Sequence, residues 1–176
     1  SNRPGDACLV DANGQCGEGD RLMDRFLVAP GEFMLVADDK GGVTRHSGTS
    51  FAAPLVSGAI TLMHDRWQWL ANHPEETAQI ILESARDLGA PGVDEVYGHG
   101  MLDVEASQSP LDFNNLTYYV GRINGGGKVK TRKTNINNVI KGDKKWGSHD
   151  TFYYMFEYVG DTHRDFAIPF SEALIG

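Results

Sequence analysis

The chain has 176 residues, of which 40% are hydrophobic and 23% charged, and its formal net charge is −8. These values are typical of a globular domain, and no apolar run approaches the roughly 20 residues that a membrane-spanning helix needs. The first residues have neither the basic start nor the apolar core of a signal peptide. The composition therefore predicts a folded chain without a membrane-spanning segment.

The charge is unevenly distributed. Up to Phe113 there are eighteen acidic and seven basic residues, and from Asn114 onward there are six acidic and nine basic residues. Most of the later basic residues lie between Arg122 and Lys145, among Asn, Gly and Thr. Lys and Arg can neutralise phosphate, and binding to an anionic partner would then weaken steeply with salt. Because no base-stacking aromatics lie between these charges, a solvated loop or hairpin is favoured, and nucleic acid is not expected as a partner.

Two cysteines, Cys8 and Cys16, flank a short polar loop. Because the loop contains Asn13-Gly14, the dipeptide preferred in a tight type I′ turn, the two thiols can come together. A disulfide here would stabilise the fold by roughly 2.5 kcal/mol and would imply an oxidising compartment. The alternatives are two unrelated thiols or, less favoured, a metal site, which would need further Cys or His ligands.

The first predicted elements are strands. Apolar runs at 26–28 and 33–36, joined at Pro30-Gly31, predict two buried strands separated by a turn. The glycines at 41 and 42 and the polar residues 44–49 predict a loop.

Two helices are predicted next. From Ser50 onward, apolar residues recur at three- and four-residue steps, which predicts a buried helix with Pro54 in its first turn. Its predicted inner face comprises Ala53, Val56, Ile60, Met63 and Trp67. A second helix is predicted from Pro74 to about Asp87, and its predicted inner face comprises Ala78, Ile81, Leu82 and Ala85.

After Pro110 the composition shifts to Asn, aromatic and β-favouring residues. Strands are predicted at 116–120, 151–159 and 166–168, with a turn or bulge at the glycines 125–127. The predicted domains are residues 1–112, in which helices follow strands, and residues 113–176, a strand-rich extension that could begin a β-solenoid.

The chemically informative residue is a serine at the predicted loop-to-helix junction, in Gly48-Thr49-Ser50-Phe51-Ala52-Ala53-Pro54. In this position the hydroxyl projects from the helix end and the backbone N–H points along the positive end of the helix dipole. Acyl transfer uses this arrangement, because the hydroxyl oxygen attacks a carbonyl and a preorganised N–H receives the oxyanion. Serine is also a common helix N-cap, and from the residues alone that role is the favoured one.

The same stretch resembles the Gly-Thr-Ser-x-Ala-x-Pro nucleophile motif of subtilisin-like serine peptidases, although Leu55 stands where many members have histidine. Ala29-Pro30-Gly31 resembles the turn that precedes this motif in the family. The segment 97–104, which begins Tyr-Gly-His-Gly, resembles the segment that closes the catalytic domain. The three matches occur in the family order and cover about residues 1–110.

The resemblance implies Ser50 as nucleophile and backbone oxyanion donor, with His46, Gly48 and Thr49 as neighbours of the substrate cleft. It implies an α/β fold, namely the C-terminal part of a parallel-sheet, three-layer domain, followed by the β-rich segment. The family's triad order is Asp, His, Ser, so the aspartate and the histidine are expected upstream of this chain. His46 is close to Ser50 in sequence, but a general base must lie about 3 Å from the hydroxyl and be oriented by a third group, so a role in the cleft is favoured.

The expected function is therefore serine endopeptidase activity on protein or peptide substrates, with this chain as an inactive, poorly stable fragment until its missing N-terminal part completes the domain. A degenerate protease or a non-catalytic, adhesin-like surface module is the alternative. The strand-rich tail, with an echo at 164–169, resembles the passenger of an autotransporter serine protease and implies an extracellular or bacterial cell-surface location. No cofactor is required. Calcium remains an option for the parent protein, although pairs such as Asp38-Asp39 or Asp94-Glu95 fall short of the six to eight oxygens it takes.

Overall fold

The computed structural model describes residues 7–8, 10–17, 21–123, 129–134 and 151–167. The chain divides into two compact units, residues 1–111 and 112–176. Helices and strands are both present, which confirms the α/β class. Among the described residues, no helix is long and apolar enough to cross a membrane.

Both predicted helices of the first unit form. Helix α1 spans Thr49–Arg66, and α2 spans Pro74–Glu83. The second helix ends earlier than predicted because Arg86 instead exchanges two backbone hydrogen bonds with Met101, each 2.8 Å long. Short 3-10 turns lie at Leu22–Arg25 and Gln68–Asn72, and the four-residue helix α3 at Val104–Ser107.

The sequence predicted Pro54 in the first turn of α1, but it lies in the second turn. A proline there has no N–H to donate to the carbonyl four residues earlier. The helix therefore lacks the hydrogen bond that would otherwise engage the Ser50 carbonyl.

The core of the first unit lies at the C-terminal half of α1. Its buried apolar residues are Ala59, Met63, Trp67, Leu70, Ile80 and Ile81. The predicted inner face of α1 is wrong at its start, where Ala53 is exposed.

The inner face of α2 also differs from the prediction, since Thr77 is buried whereas Ala78 is exposed. The Thr77 hydroxyl donates to the Leu70 carbonyl at 3.1 Å and lies 3.2 Å from His64 Nε2. A polar residue can be buried on this face because its hydroxyl has partners there.

Strands β1, Met34–Ala37, and β2, Val43–His46, form an antiparallel hairpin. The prediction of a loop over the β2 residues was wrong, and so was the prediction that 33–36 is fully buried, because Leu35 is 66% exposed. The Asp38 carboxylate organises the turn by accepting hydrogen bonds from the N–H groups of Lys40 and Gly42.

The predicted strand at 26–28 contributes a single parallel bridge, between Val28 and Met101. The Val28 N–H donates to the Gly100 carbonyl, and the Val28 carbonyl accepts from the Leu102 N–H, both at 2.8 Å. Among the described residues of the first unit, the bridge between Val28 and Met101 is the one parallel strand pairing.

Two glycines of the Tyr-Gly-His-Gly segment permit this crossing. Gly98 has φ +59°, and a Cβ there would lie 2.2 Å from the Phe26 carbonyl oxygen. Gly100 has φ +107°, and a Cβ there would lie 2.2 Å from the Arg86 carbonyl oxygen. Between them, His99 donates its N–H to Phe26, and its Nε2 lies 3.1 Å from the Asp24 carbonyl oxygen. The segment therefore holds two other stretches of backbone in place.

We expect Gly98→Ala to destabilise the chain by about 3 kcal/mol or more, because it combines left-handed backbone strain with a backbone clash. Gly92→Ala is the matched control, since Gly92 has φ +84° but nothing within 4 Å of a Cβ. Its expected cost is about 1–2 kcal/mol. Urea denaturation of the two variants measures the difference, and equal losses would contradict the argument from close approach.

The structure joins Cys8 and Cys16 in a disulfide, with their Cα atoms 6.0 Å apart. The loop between them is not the predicted type I′ turn, because Gly14 has a positive φ and Asn13 does not. The Asp11 carboxylate accepts hydrogen bonds from the N–H groups of Gln15 and Asn13, and these bonds lower the pKa of Asp11.

The second unit is a four-stranded antiparallel sheet in the order β4-β3-β5-β6, preceded by a 3-10 turn at Phe113–Asn115. Its strands are β3, Thr117–Ile123; β4, Val129–Thr134; β5, Thr151–Val159; and β6, Thr162–Ala167. The strands predicted at 116–120 and 151–159 are present as β3 and β5. The strand predicted at 166–168 overlaps the end of β6, and Ile168 lies outside the described residues. Part of the basic segment forms a hairpin strand, β4. The glycines at 125–127 lie outside the described residues. A β-solenoid beginning here stays a prediction, and the described strands pair antiparallel.

A buried ion pair lies on one face of this sheet. Glu157 and Arg164 are register partners on β5 and β6. As whole residues they are 5% and 0% exposed. The Arg164 Nε lies 2.9 Å from Glu157 Oε2, which also accepts from a terminal guanidinium nitrogen. Burying both charges is favourable only when they remain together.

We expect Glu157→Leu to destabilise the chain by about 3–5 kcal/mol, because the guanidinium stays buried without this carboxylate. The double variant Glu157→Leu/Arg164→Met should lose clearly less, since no charge is left behind. Chemical denaturation of the unmodified chain, the single variants Glu157→Leu and Arg164→Met, and the double variant measures the coupling. Additive losses would show that the pair contributes nothing as a pair.

Candidate active site

Ser50 lies in the first turn of α1, two residues after the helix N-cap. The N-cap is Gly48, whose extended backbone precedes the first helical residue, Thr49. The alternative in which Ser50 caps the helix is therefore wrong. The Ser50 side chain is exposed, and its hydroxyl makes no hydrogen bond to another described residue.

The position also determines what the Ser50 backbone can do. N–H groups of the first helical turn have no acceptor within the helix, and they carry the positive end of the macrodipole. An oxyanion formed on an acyl group at the Ser50 hydroxyl would meet this N–H at the same helix end.

The predicted cleft neighbours His46, Gly48 and Thr49 are all exposed at this helix end. The His46 ring stacks on Phe51, with centroids 5.9 Å apart and an interplanar angle of 23°. In the structure His46 therefore contacts Phe51 and makes no described hydrogen bond with the Ser50 hydroxyl. Its role in the cleft stays a prediction.

The loop before Ser50 is anchored to the Ala29-Pro30-Gly31 turn. The Gly48 N–H donates to the Gly31 carbonyl at 2.7 Å. A Cβ on Gly31 would lie 2.8 Å from the Gly48 carbonyl oxygen and 3.1 Å from Ala52 Cβ. The absence of a side chain at Gly31 therefore allows the turn to support the nucleophile loop.

A second anchor was not predicted from the sequence. Phe33 has φ +53°, a conformation unusual for a residue with a side chain, and its N–H donates to Ser47 Oγ at 2.9 Å. This bond joins the start of the β1–β2 hairpin to its end, three residues before Ser50. No pattern in the sequence singles out Phe33.

The carboxylates considered for calcium organise loops. Asp38 caps the hairpin turn, and Asp94 accepts hydrogen bonds from the N–H groups of Ala90, Val96 and Tyr97. In the described residues, the pairs at 38–39 and 94–95 supply too few oxygens for the ion. These residues do not fit a calcium site, and no chemical step is assigned to a metal.

An exposed serine at a helix N-terminus, on a loop supported through a glycine, has the arrangement that acyl transfer uses. Residues 19–100 match the model of the subtilase family. This part of the chain is subtilisin-like.

Two relatives illustrate the similarity. The chain is 40% identical over 68 residues to the Neisserial autotransporter lipoprotein NalP of Neisseria meningitidis serogroup B, which is 38% of this chain and 6% of that protein. It is 32% identical over 73 residues to an extracellular serine protease of Serratia marcescens, which is 41% of this chain and 7% of that protein. The chain thus matches only a small part of each relative's length.

Among solved structures, the patellamide maturation protease PatA is similar at 30% sequence identity with a TM-score of 0.41. The match covers 59% of this chain and 41% of that chain.

We expect Gly31→Ala to displace the nucleophile loop and to destabilise the chain by about 1–3 kcal/mol, as overpacking does. The control is Gly58→Ala in α1, where a Cβ meets nothing within 4 Å. This substitution should stabilise the helix by up to about 1 kcal/mol. Urea denaturation gives both values, and a neutral or stabilising effect of Gly31→Ala would contradict the assigned contact.

Proposed function

We propose that Ser50 is the nucleophile of a serine endopeptidase, to which this chain contributes the serine, the loop that positions it and one oxyanion donor. The observation that carries the proposal is the exposed hydroxyl in the first turn of α1, on a loop anchored through Gly31. The match of residues 19–100 to the subtilase family model supports it, as does the similarity to an extracellular serine protease.

In the proposed reaction, Ser50 Oγ attacks the carbonyl carbon of the scissile peptide bond while a histidine accepts the hydroxyl proton. The carbonyl oxygen becomes an oxyanion, which the Ser50 N–H stabilises. The C–N bond then breaks, the histidine returns the proton to the leaving amine, and the acyl group remains on Ser50. The histidine then accepts a proton from water, whose oxygen attacks the acyl carbon, and the Ser50 N–H again stabilises the oxyanion. The ester C–O bond breaks, the histidine returns the proton to Ser50 Oγ, and the carboxylic acid product leaves.

The histidine, the aspartate that orients it and a side-chain amide for the oxyanion are proposed to come from sequence preceding this chain. The family's triad order supports this proposal. The geometry of His46 supports it too, because its ring contacts Phe51 and makes no described hydrogen bond to Ser50. On this proposal, the present residues alone do not hydrolyse peptides.

The proposed location is outside the cell or at a bacterial cell surface. The Cys8–Cys16 disulfide supports this location, because disulfides persist in oxidising compartments. The names of the relatives, one an autotransporter lipoprotein and one an extracellular protease, agree with it. An autotransporter passenger is the finer assignment we propose.

Labelling with a fluorophosphonate tests the nucleophile. In a polypeptide that contains this chain and the preceding part of its domain, we expect one labelled peptide, carrying the modification on Ser50. Ser50→Ala should abolish labelling and lower kcat/KM for peptide hydrolysis by roughly a thousandfold or more. Ser57→Ala is the matched control, because Ser57 lies on the same helix, is exposed and hydrogen-bonds to the Ala53 carbonyl.

The control should label at the rate of the unmodified protein. If the folded, longer polypeptide does not react with the probe, the proposal fails and the degenerate or non-catalytic alternative is favoured. Equal labelling of the Ser50→Ala variant would also refute the assignment.

A further inference from the structure

The sheet of the second unit has two unlike faces. Side chains alternate across a strand, so neighbours along β5 point to opposite faces. Tyr118, Met155 and Phe166 are buried, as is the Glu157–Arg164 pair. Tyr119 and Phe156 lie on the opposite face and are partly exposed. The function proposed for Ser50 makes no use of this second face.

The partly exposed face contains a pocket of about 310 Å³, here called the aromatic pocket. Its lining residues come from all four strands and comprise Tyr119, Thr131, Tyr154, Phe156, Tyr158 and Asp165. The register explains this convergence, because Tyr119 pairs with Tyr154, and Phe156 pairs with Asp165. Four aromatic rings and one carboxylate therefore surround one volume.

The rings are arranged as walls and not as a flat platform. Tyr119 and Phe156 meet edge to face, with centroids 5.4 Å apart and an interplanar angle of 88°. Tyr154 is tilted by 41° from Phe156 at 6.5 Å. Rings at these angles line the pocket from different directions and do not form one flat stacking surface.

The polar groups of the pocket are few. A hydrogen bond with Tyr119 raises the pKa of the Tyr158 phenol, so these two hydroxyls are engaged with one another. Among the described lining residues, Asp165 carries the formal charge; Lys133 is on the same face by register but does not line the pocket. Asp165 also takes part in further interactions, and it contributes a negative charge to the lining of the pocket.

We infer that the aromatic pocket binds a quaternary ammonium group of the choline type. Ring faces attract a cation through their quadrupole, and the Asp165 carboxylate adds a full negative charge. The volume is sufficient for a trimethylammonium head with its first methylene groups.

Two other ligand chemistries fit less well. A sugar would stack on rings that lie side by side in one plane, whereas Tyr119 and Phe156 are perpendicular. A primary ammonium brings three N–H donors, and among the described lining residues Asp165 supplies the one carboxylate to accept them. A methylated cation has no N–H groups to satisfy and suits an aromatic wall.

The test is isothermal titration of the full chain with choline chloride and, separately, with 3,3-dimethylbutan-1-ol, the uncharged molecule of the same shape. We expect choline to bind at least about tenfold more tightly than the alcohol, because only choline gains the cation–π and carboxylate attractions. Equal affinities would refute a cation site, and so would no binding of either. This comparison needs no variant, and circular dichroism of the titrated sample verifies that the chain is folded.

Variants then locate the site. Phe156→Leu should weaken choline binding by roughly tenfold, and Asp165→Asn by several-fold, with little change for the alcohol. Asp39→Asn, an equal change of charge at an exposed residue of the first unit, should leave the affinity unchanged. If all three variants bind choline equally, the aromatic pocket is not its site.

The source of the ammonium group is determined by comparing phosphatidylcholine vesicles with phosphatidylglycerol vesicles in sedimentation. Selective retention on phosphatidylcholine, blocked by free choline, identifies a lipid headgroup as the ligand. Binding of free choline without retention on vesicles supports a soluble quaternary ammonium compound. Neither Ser50→Ala nor loss of peptidase activity should change these results. The binding proposal can therefore be refuted without refuting the peptidase proposal, and the reverse also holds.

Discussion

The first unit depends on close approach between backbone segments at glycines. At Gly98 and Gly100 a Cβ would lie 2.2 Å from a carbonyl oxygen of another segment, and at Gly31 it would lie 2.8 Å from one. These contacts bring 26–28, 86 and 98–102 together, and they place the Ala-Pro-Gly turn against the loop before Ser50. The Ala-Pro-Gly turn and the Tyr-Gly-His-Gly segment are thus places where the chain approaches itself closely.

This constraint explains how an exposed loop can hold the proposed nucleophile, Ser50, in place. Catalysis requires the attacking oxygen to be placed to within about an ångström, and exposed loops are otherwise mobile. Here the loop is held from both sides, by the Gly48–Gly31 hydrogen bond and by the Ser47–Phe33 hydrogen bond. The left-handed backbone of Phe33 is a strained conformation, and the hydrogen bond to Ser47 helps to hold it.

The sequence predicted those elements whose pattern is local. Helices α1 and α2 follow from apolar spacing, with a first-turn proline, Pro74, at the start of α2. Strand β5 follows from a run of β-favouring residues. The β2 strand was missed because three of its four residues, Thr44, Arg45 and His46, are polar, and its pairing depends on a turn organised by Asp38. The inner face of α2 was misplaced because burial of Thr77 depends on partners elsewhere in the chain. Ser50 was identified by its motif, whereas its support at Gly31 and Phe33 required coordinates.

The second unit buries an ion pair, Glu157–Arg164, at a position where two apolar side chains could pack. A buried ion pair often contributes less stability than apolar residues of the same size, yet it penalises arrangements that separate its charges. Slipping β5 by one residue against β6 would move Glu157 to the opposite face and bring Phe156 or Tyr158 inward. The aromatic residues of β5 are apolar enough to accept burial, so hydrophobicity alone discriminates poorly between the two registers. The Glu157–Arg164 pair therefore favours the register in which Tyr154, Phe156 and Tyr158 lie on the opposite face from the pair. The aromatic pocket forms only in this register.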